Sequence, residues 1–321
     1  MPKNNIAILT TGGTISSNIN DEDINIDKNN TFVQNYINKN NLNNNIDIIS
    51  IFNKLSENFK PTDWIKIANE IKKIIDNKYD KIIVTHGTDS MVYSAVAIEI
   101  LFGYLSNTTI IFTGAMKPPK SKYSDAKTAI KSSIKIINDS TLKNGVYINI
   151  RSKKSHSVFN LYQATKVKLP QMDDNGFESI YNEKIAQYKN KQWRMYNNTY
   201  TYRFNKELKI PSKSSVNNVQ DKIIYRNIYP GITLDISEDI EIVILNGYHS
   251  GTASTMRYNN SLINCLNNKN NTKYVLTNYS SKLIEKPYNS TLELMDNGIT
   301  LIKDIQSHVV YTYMYLSLAQ N

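Results

Sequence analysis

Short runs of β-branched and apolar residues recur through the first half of the chain, at residues 6–10, 46–51, 81–85, 109–113 and 145–150. Each has the length and composition of a strand buried on both faces of a parallel sheet. Between them, apolar residues fall at helical spacing. The clearest case is 62–75, where Trp64, Ile67, Ala68, Ile71, Ile74 and Ile75 make one stripe. Thr62, after Pro61, is its expected N-cap. Residues 90–105 and 124–138 read as the next two helices. The stretch 91–105 is the most apolar of the chain, but Ser94, Glu99 and Gly103 interrupt it. It is also shorter than the roughly 20 residues a membrane span needs, so a buried helix is expected.

Strand alternating with helix predicts an α/β fold with a mainly parallel, doubly wound sheet over residues 1–189. Residues 190–221 are polar, rich in Tyr and Asn, and contain Pro211 followed by an almost wholly polar run. They are expected to link the large N-terminal domain to a smaller C-terminal α/β domain at 222–321. In that second part, 241–245 and 273–277 read as strands and 304–319 as a terminal helix. The Asn-rich patches at 38–45 and 267–271 suit surface loops.

Charge and composition change this picture little. The formal net charge of +10 invites a nucleic-acid or membrane reading. The densest basic group, Lys117, Lys120, Lys122, Lys127 and Lys131, has only Tyr123 as an aromatic neighbour, and Arg151, Lys153 and Lys154 form an equally short second group. The lysines are otherwise spread along a chain rich in Asn, Lys and Ile, so neither partner is expected. The single cysteine, Cys265, excludes an intramolecular disulfide. His86, His156, His249 and His308 are scattered without ligand spacing, and no metal site is expected. The first residues lead directly into the run at 6–9 with no charged leader or apolar signal segment, and a cytoplasmic location is expected.

Three of the predicted strands end in small polar clusters: Thr10-Thr11-Gly12-Gly13-Thr14-Ile15, Thr85-His86-Gly87-Thr88-Asp89-Ser90 and Thr113-Gly114-Ala115-Met116. Open α/β sheets place ligands at the carboxyl ends of their strands, and glycines there allow sharp bends and close approach. A threonine hydroxyl becomes a useful nucleophile once a base takes its proton. A lysine desolvated beside a carboxylate can be that base. A set of Thr, Lys and Asp is therefore sufficient for amide cleavage, with backbone N–H groups of a Gly-rich turn stabilising the oxyanion. Taken singly, the first cluster also reads as a phosphate-binding turn and the second as a helix N-cap with Asp89 facing the dipole.

The order and spacing of these clusters resemble the bacterial-type L-asparaginases and the related GatD-like amidotransferase subunits. The resemblance implies Thr14 as nucleophile, with Thr88 and Asp89 as the second hydroxyl and the carboxylate that holds the substrate amino group. Ser56-Glu57-Asn58-Phe59, ahead of Trp64, is similar to a substrate-gripping segment, with Ser56 on the substrate carboxylate and Glu57 on its amino group. Thr165-Lys166-Val167-Lys168, followed by Gly176-Phe177-Glu178-Ser179, looks like the segment of the base lysine. Lys168 fits that register, and Lys166 is the rival. Gly114-Ala115-Met116-Lys117-Pro118 is similar to a turn whose Ala115 carbonyl would accept from the leaving amide, and Ser124-Asp125 opens the next helix as in relatives. Tyr229-Pro230-Gly231 and the segment from Tyr248 to Ala253 resemble second-domain blocks. Thr252 stands where many relatives have Asn, and His249 is expected to be structural.

One departure stands out. Relatives carry a tyrosine in the loop about a dozen residues past the nucleophile, supported by a carboxylate. Here no tyrosine lies between Thr14 and Asn35, Tyr36 falls too far along, and Thr291 stands at the supporting position, close to Tyr288. Tyr288 is a possible replacement. The resemblance implies no cofactor and a homodimer or homotetramer in which a neighbour's second domain completes each site. The leading expectation is hydrolysis of L-asparagine through a Thr14 acyl-enzyme. The alternatives are an amidase for a modified, acylated or peptide-linked asparagine, and a catalytically impaired binding homologue. A GatD-like amidotransferase chain ranks lower, because those chains carry an additional N-terminal region.

Overall fold

A computed structural model of the chain describes all residues except 1–5, 20–23, 27–30, 43–44, 154, 156, 173–174, 198, 205–207, 268–270 and 321. His156 and Lys154 thus lie outside the described residues. The chain divides into two compact units, Met1–Ile210 and Pro211–Asn321.

In the first unit the chain runs through β1 (Ile6–Gly12), a short hairpin of β2 (Ser17–Ile19) and β3 (Ile24–Ile26), α1 (Phe32–Lys39) and β4 (Ile46–Lys54). It continues with α2 (Pro61–Asp76), β5 (Lys81–Thr85), α3 (Met91–Phe102), β6 (Thr109–Thr113), α4 (Ala126–Ile137) and β7 (Gly145–Arg151). Three further strands follow: β8 (Phe159–Gln163), β9 (Ala186–Lys189) and β10 (Gln192–Met195). The eight-stranded sheet has the order β10-β9-β8-β7-β6-β5-β1-β4. Its part from β7 to β4 is parallel, and β8, β9 and β10 extend it antiparallel. The mainly parallel sheet predicted from sequence is present, with an antiparallel flank that the apolar runs did not announce.

Register explains why the polar clusters meet. Thr10 pairs with both Ser50 and Thr85, Thr85 with Thr113, and Thr113 with Asn149. The carboxyl ends of β4, β1, β5, β6 and β7 are therefore level, and the loops leaving them share one end of the sheet. The strands β1, β5, β6 and β7 are almost wholly buried, as their unbroken apolar composition requires. Ile6, Ile8, Ile83, Ile111 and Tyr147 pack against Val33, Ile37, Ile130 and Ile137 in one core cluster. α3 is apolar on every side and buried at every position except Tyr93, the state expected of a helix without an amphipathic stripe.

Two local expectations need correction. Pro61 is itself the first residue of α2, and Lys60 is the N-cap. Asp63, not Thr62, serves the helix start: its carboxylate accepts from Lys60 N at 2.7 Å and pairs with Lys54 Nζ at 2.5 Å. Proline suits that first position because its missing N–H would have no partner there. The segment 190–221 is not a continuous linker. It contains β10, which pairs with β9 through a turn with Asn190 and Lys191 both at positive φ, and Tyr200, whose ring lies 5.5 Å from that of Tyr147. The unit boundary falls at Ile210 and Pro211, inside this segment, and Lys213–Val219 is already a helix of the second unit, α5.

The second unit adds β11 (Ile223–Asn227), β12 (Ile242–Asn246), α6 (Leu262–Asn267), β13 (Lys273–Tyr279), α7 (Asn289–Asp296), β14 (Thr300–Lys303) and α8 (Ser307–Leu318). Its four strands form a parallel sheet in chain order. One face packs on Leu262, Ile263, Cys265 and Leu294, and the other on Val310 and its neighbours in α8. Among the described residues no helix is long and apolar enough to cross a membrane.

Replacing Asp63 by alanine removes an N-terminal acceptor and leaves Lys54, among the described residues, with its aromatic neighbours Phe59 at 5.0 Å and Phe52 at 5.8 Å. We expect Asp63→Ala to lower unfolding free energy by about 1–3 kcal/mol. Urea melts check this, and an unchanged midpoint would contradict the assigned cap.

Candidate active site

The nucleophile candidate sits where β1 breaks. Gly12 has φ +96°, and a Cβ there would lie 2.5 Å from Lys54 N at the end of β4. Gly13 follows with φ 79° and ψ −174°, a backbone region essentially reserved for glycine. A Cβ on Gly13 would overlap the Gly87 Cα and N atoms, and one on Gly87 would overlap the Ser56 hydroxyl. The backbones of the first two polar clusters are thus in contact, with Ser56 against them. Thr14 opens a single 3₁₀ turn, Thr14–Ser16, closed by Ser16 N donating to Gly13 O at 2.9 Å. Ser17 Oγ donates to the same carbonyl at 3.0 Å, which roots the β2–β3 hairpin at the turn of Thr14.

The remaining loops lock onto this pair. Ser56 is buried and donates to Asp89 Oδ2 at 3.1 Å while accepting from Asp89 N at 3.2 Å. Ser90 Oγ donates to Ser56 O at 2.6 Å. Thr11 Oγ1 donates to Thr85 O at 2.9 Å, and His86 N to Thr113 O at 2.9 Å. A Cβ on Gly114 would overlap His86 O, so the third cluster, with Ala115 fully buried, also abuts the second. Asp125 holds that turn open from α4: its carboxylate accepts from Met116 N at 3.1 Å and Lys117 N at 3.0 Å. Arg151 faces Asp125 at 3.7 Å and is 1% exposed. It therefore belongs to the interior, although Lys153 and Lys154 follow it closely in sequence.

Thr14 and Thr88 are half-buried and Asp89 and Glu57 exposed, as groups open to a substrate must be. Among the described residues no hydrogen bond takes up the Thr14 or Thr88 hydroxyl. Thr14, Ser56, Thr88, Asp89 and Ala115 are therefore brought to one end of the sheet. Lys168 is not bonded into this group. Its backbone N–H donates to Glu178 O at 2.9 Å, next to a bridge between Val167 and Ser179, and its side chain is exposed. The burial expected of a base lysine is absent in the single chain. Lys166, the rival, is half-buried and pairs with Glu183 at 3.2 Å.

His86 and Glu99 are buried titratable groups, the first beside the site and the second farther along α3. His86 packs between Phe59 and Phe112, with ring centroids at 4.4 and 6.1 Å. Its Nδ1 is 2.8 Å from Gly87 O and so carries the proton. Burial lowers its pKa from 6.5 to about 4, and the ring is neutral. Glu99, a break in the apolar pattern of α3, is fully buried and its pKa is pushed up to about 7 by desolvation. Sequence reasoning gave neither group a role; a lone carboxylate within an apolar helix was the available signal for Glu99.

The replacements considered for the missing tyrosine separate clearly. Tyr36 is half-buried against the first unit's core. In the second unit, Tyr288 is the exposed N-cap of α7, and Thr291 is buried, donating to Gly251 O at 3.2 Å. Thr252 lies in the tight turn at Gly251 (φ +67°), 3.1 Å from Ser250 Oγ. His249 is exposed in the same turn. Among the described residues no cluster of His, Cys, Asp or Glu could hold a metal ion.

The family description "Asparaginase, N-terminal" matches residues 5–201, more than half of the 321 residues, and the chain belongs to the asparaginase family. It is 28% identical over 330 aligned positions to the GatD chain of the glutamyl-tRNA(Gln) amidotransferase of Methanococcus vannielii, covering 96% of this chain and 72% of that one. To the GatD chain of Methanosphaera stadtmanae it is 32% identical over 208 positions, covering 64% and 44%. Several further GatD chains are matched over 46% to 64% of their own length. In fold it is similar to the thermostable L-asparaginase from Thermococcus kodakarensis, with TM-score 0.76, 18% identity and coverage of 99% and 93%. The probable cytoplasmic L-asparaginase from Campylobacter jejuni gives 0.75, 18%, 99% and 95%. These likenesses establish the α/β architecture with its two sheets.

Two outcomes follow from the site's geometry. Gly13→Ala forces both a disfavoured backbone region and an overlap with Gly87. It is expected to lose more than the about 1–3 kcal/mol of the backbone term alone, read by denaturant melts; a wild-type midpoint would disprove the contact. His86 is neutral when folded but takes a proton when unfolded below pH 6.5. Stability is therefore undiminished above that pH and falls as the pH drops toward about 4, by about 3 kcal/mol in all. Melts of wild type and His86→Gln between these limits should differ in slope, and equal slopes would remove His86 as the source.

Proposed function

We propose that the chain is an amidohydrolase that releases ammonia from the carboxamide of L-asparagine through a covalent acyl-enzyme on Thr14. The single observation that carries this reading is the backbone contact between Gly13 and Gly87, which sets the Thr14 and Thr88 turns side by side with Ser56 and Asp89. In this reading Thr14 Oγ1 attacks the carboxamide carbon and its proton is taken up through Thr88 and Lys168. Ammonia leaves as the ester forms, and water then cleaves the ester to release aspartate. Ser56 and Asp89 hold the substrate's carboxylate and amino groups, with Glu57 at the rim. The Ala115 carbonyl accepts from the leaving amide, and backbone N–H groups of the Gly-rich turns face the oxyanion.

The exposed Lys168 needs desolvation to act as a base at neutral pH. The second unit of a neighbouring copy, with Thr252 and Tyr288 on its exposed turns, is our candidate for that cover in a cytoplasmic homodimer or homotetramer. No cofactor enters the scheme.

A second reading is favoured by the relatives named as glutamyl-tRNA(Gln) amidotransferase chains and by a β2–β3 hairpin without its tyrosine. In it the same Thr14 chemistry serves a larger amide, such as an acylated or peptide-linked asparagine, or supplies ammonia within a hetero-assembly. Ammonia release should be compared across L-asparagine, L-glutamine, D-asparagine, N-acyl asparagines and asparaginyl peptides. Preference for free L-asparagine supports the first reading, and preference for a substituted asparagine the second. Thr14→Ala is expected to abolish turnover of every one; retained activity would remove the nucleophile. Lys168→Met should lower kcat by orders of magnitude and Lys166→Met should not, with the reverse result moving the base by two residues.

A further inference from the structure

We propose that Glu99 is a positioning residue that ties the arm bearing Lys168 to the helix that presents Thr88 and Asp89. The inference rests on Lys168 as the base of the proposed reaction. α3 starts two residues after Asp89, and Glu99 lies in its third turn, about 15 Å along the axis from the Asp89 end. There its carboxylate receives Thr165 N at 2.7 Å, Thr165 Oγ1 at 3.1 Å and Gln163 Nε2 at 2.6 Å. Gln163 and Thr165 flank Ala164 in the turn that follows β8, and Lys168 is three residues beyond Thr165. An extended span of three residues reaches at most about 10 Å, so Glu99 fixes the origin of a short arm.

The arm's other fastenings point elsewhere. Lys166 pairs with Glu183, Val167 bridges to Ser179 and Lys168 N donates to Glu178 O. These bind it to the segment 178–183, whereas the Glu99 bonds bind it to α3, the helix that follows Thr88 and Asp89. Gln163 Nε2 also donates to Thr201 O at 2.8 Å, and a Cβ on Gly103 would lie 2.5 Å from Tyr200 OH. The carboxylate is thereby enclosed by the segment around Tyr200 as well as by the turn at Ala164. A carboxylate is an acceptor only, and its donors here are two N–H groups and a hydroxyl. Glutamine of the same shape would turn an NH₂ group toward some of those donors and loosen the arm without removing volume.

The test is a double-mutant cycle read by ammonia release from the best carboxamide of the panel above. Lys168→Met is assayed first; then Glu99→Gln in the wild-type and in the Lys168→Met background. A positioning role predicts that Glu99→Gln lowers kcat at least tenfold with KM within threefold. It also predicts no further loss once Lys168 is gone, because the two residues act as a unit. Equal loss on both backgrounds, or no loss on the wild-type background, overturns the positioning role alone. Full activity of Lys168→Met overturns the base assignment and the positioning role with it.

Amide exchange gives a readout independent of turnover, and it decides if Lys168→Met has no measurable rate. Glu99→Gln should speed exchange at Thr165 at least tenfold while Thr88 and Asp89 amides keep their protection, and unchanged Thr165 exchange overturns the proposal. Should Glu99→Gln not fold, Thr165→Val, which removes only the hydroxyl donor, must show the same pattern at smaller amplitude, and its absence there is equally decisive.

Discussion

The first unit is organised around a place where two main chains touch with no side chain between them. Gly13 and Gly87 approach so closely that a methyl group on either would collide with the other cluster or with Ser56. Because Gly13 also occupies a backbone region closed to other residues, steric and torsional demands coincide on one position. Everything chemical in the unit is referred to this point. Thr14 follows Gly13 directly, Thr88 follows Gly87 directly, and Ser56 and Asp89 are bonded across the seam. A parallel sheet with level strand ends makes such a seam possible, since the loops leaving those ends meet on one side of it.

Around the seam, buried polar groups tie neighbouring loops together, although Arg151 Nη1 has no hydrogen-bond partner among the described residues. Asp125 spans from α4 to the turn at Met116 and Lys117 and is faced by the buried Arg151. Arg151 in turn donates from Nε to Asn175 O at 2.7 Å. Groups of this kind contribute more to where things sit than to net stability, because their desolvation offsets much of their attraction. α3 follows the same logic. Its apolar surface makes it a fixed strut, and its one internal carboxylate chooses which neighbouring turn it grips.

Much of this was legible in the residues. The five β-branched runs and the helix stripes fell where the sequence pattern placed them, because burial on both faces leaves a continuous apolar signature. The strands β8 to β10 escaped notice: Phe159, Leu161 and Ala186 are core, but Asn160, Gln163 and Gln187 interleave with them, and the bonds of Asn160 to Tyr162 and Gln187 and of Gln163 to Glu99 are tertiary facts. Asn190, at positive φ between β9 and β10, was the local hairpin signal. At the site, Thr14, Thr88 and Asp89 were singled out through the resemblance of their motifs, and the structure brings them to one end of the sheet. The Ser56–Asp89 bond, 33 residues apart in sequence, could not be read that way, nor could the neutral state of His86, which depends on the rings around it. The burial of Arg151 was not legible either, because a charged letter among lysines carries no sign of it.

The rooting of the β2–β3 hairpin has an evolutionary consequence. Its first residue, Ser17, is fastened beside Thr14 by its backbone N–H, which donates to Thr14 O, and by its hydroxyl, which donates to Gly13 O at 3.0 Å. Such an attachment specifies Ser17 but not what the rest of the hairpin carries. Residues beyond Ser17 can be exchanged while the fastening stays the same, so the hairpin can diverge in sequence without disturbing the turn at Gly13. That no tyrosine lies between Thr14 and Asn35 is then a feature of a part of the chain that the seam between the two glycines does not constrain.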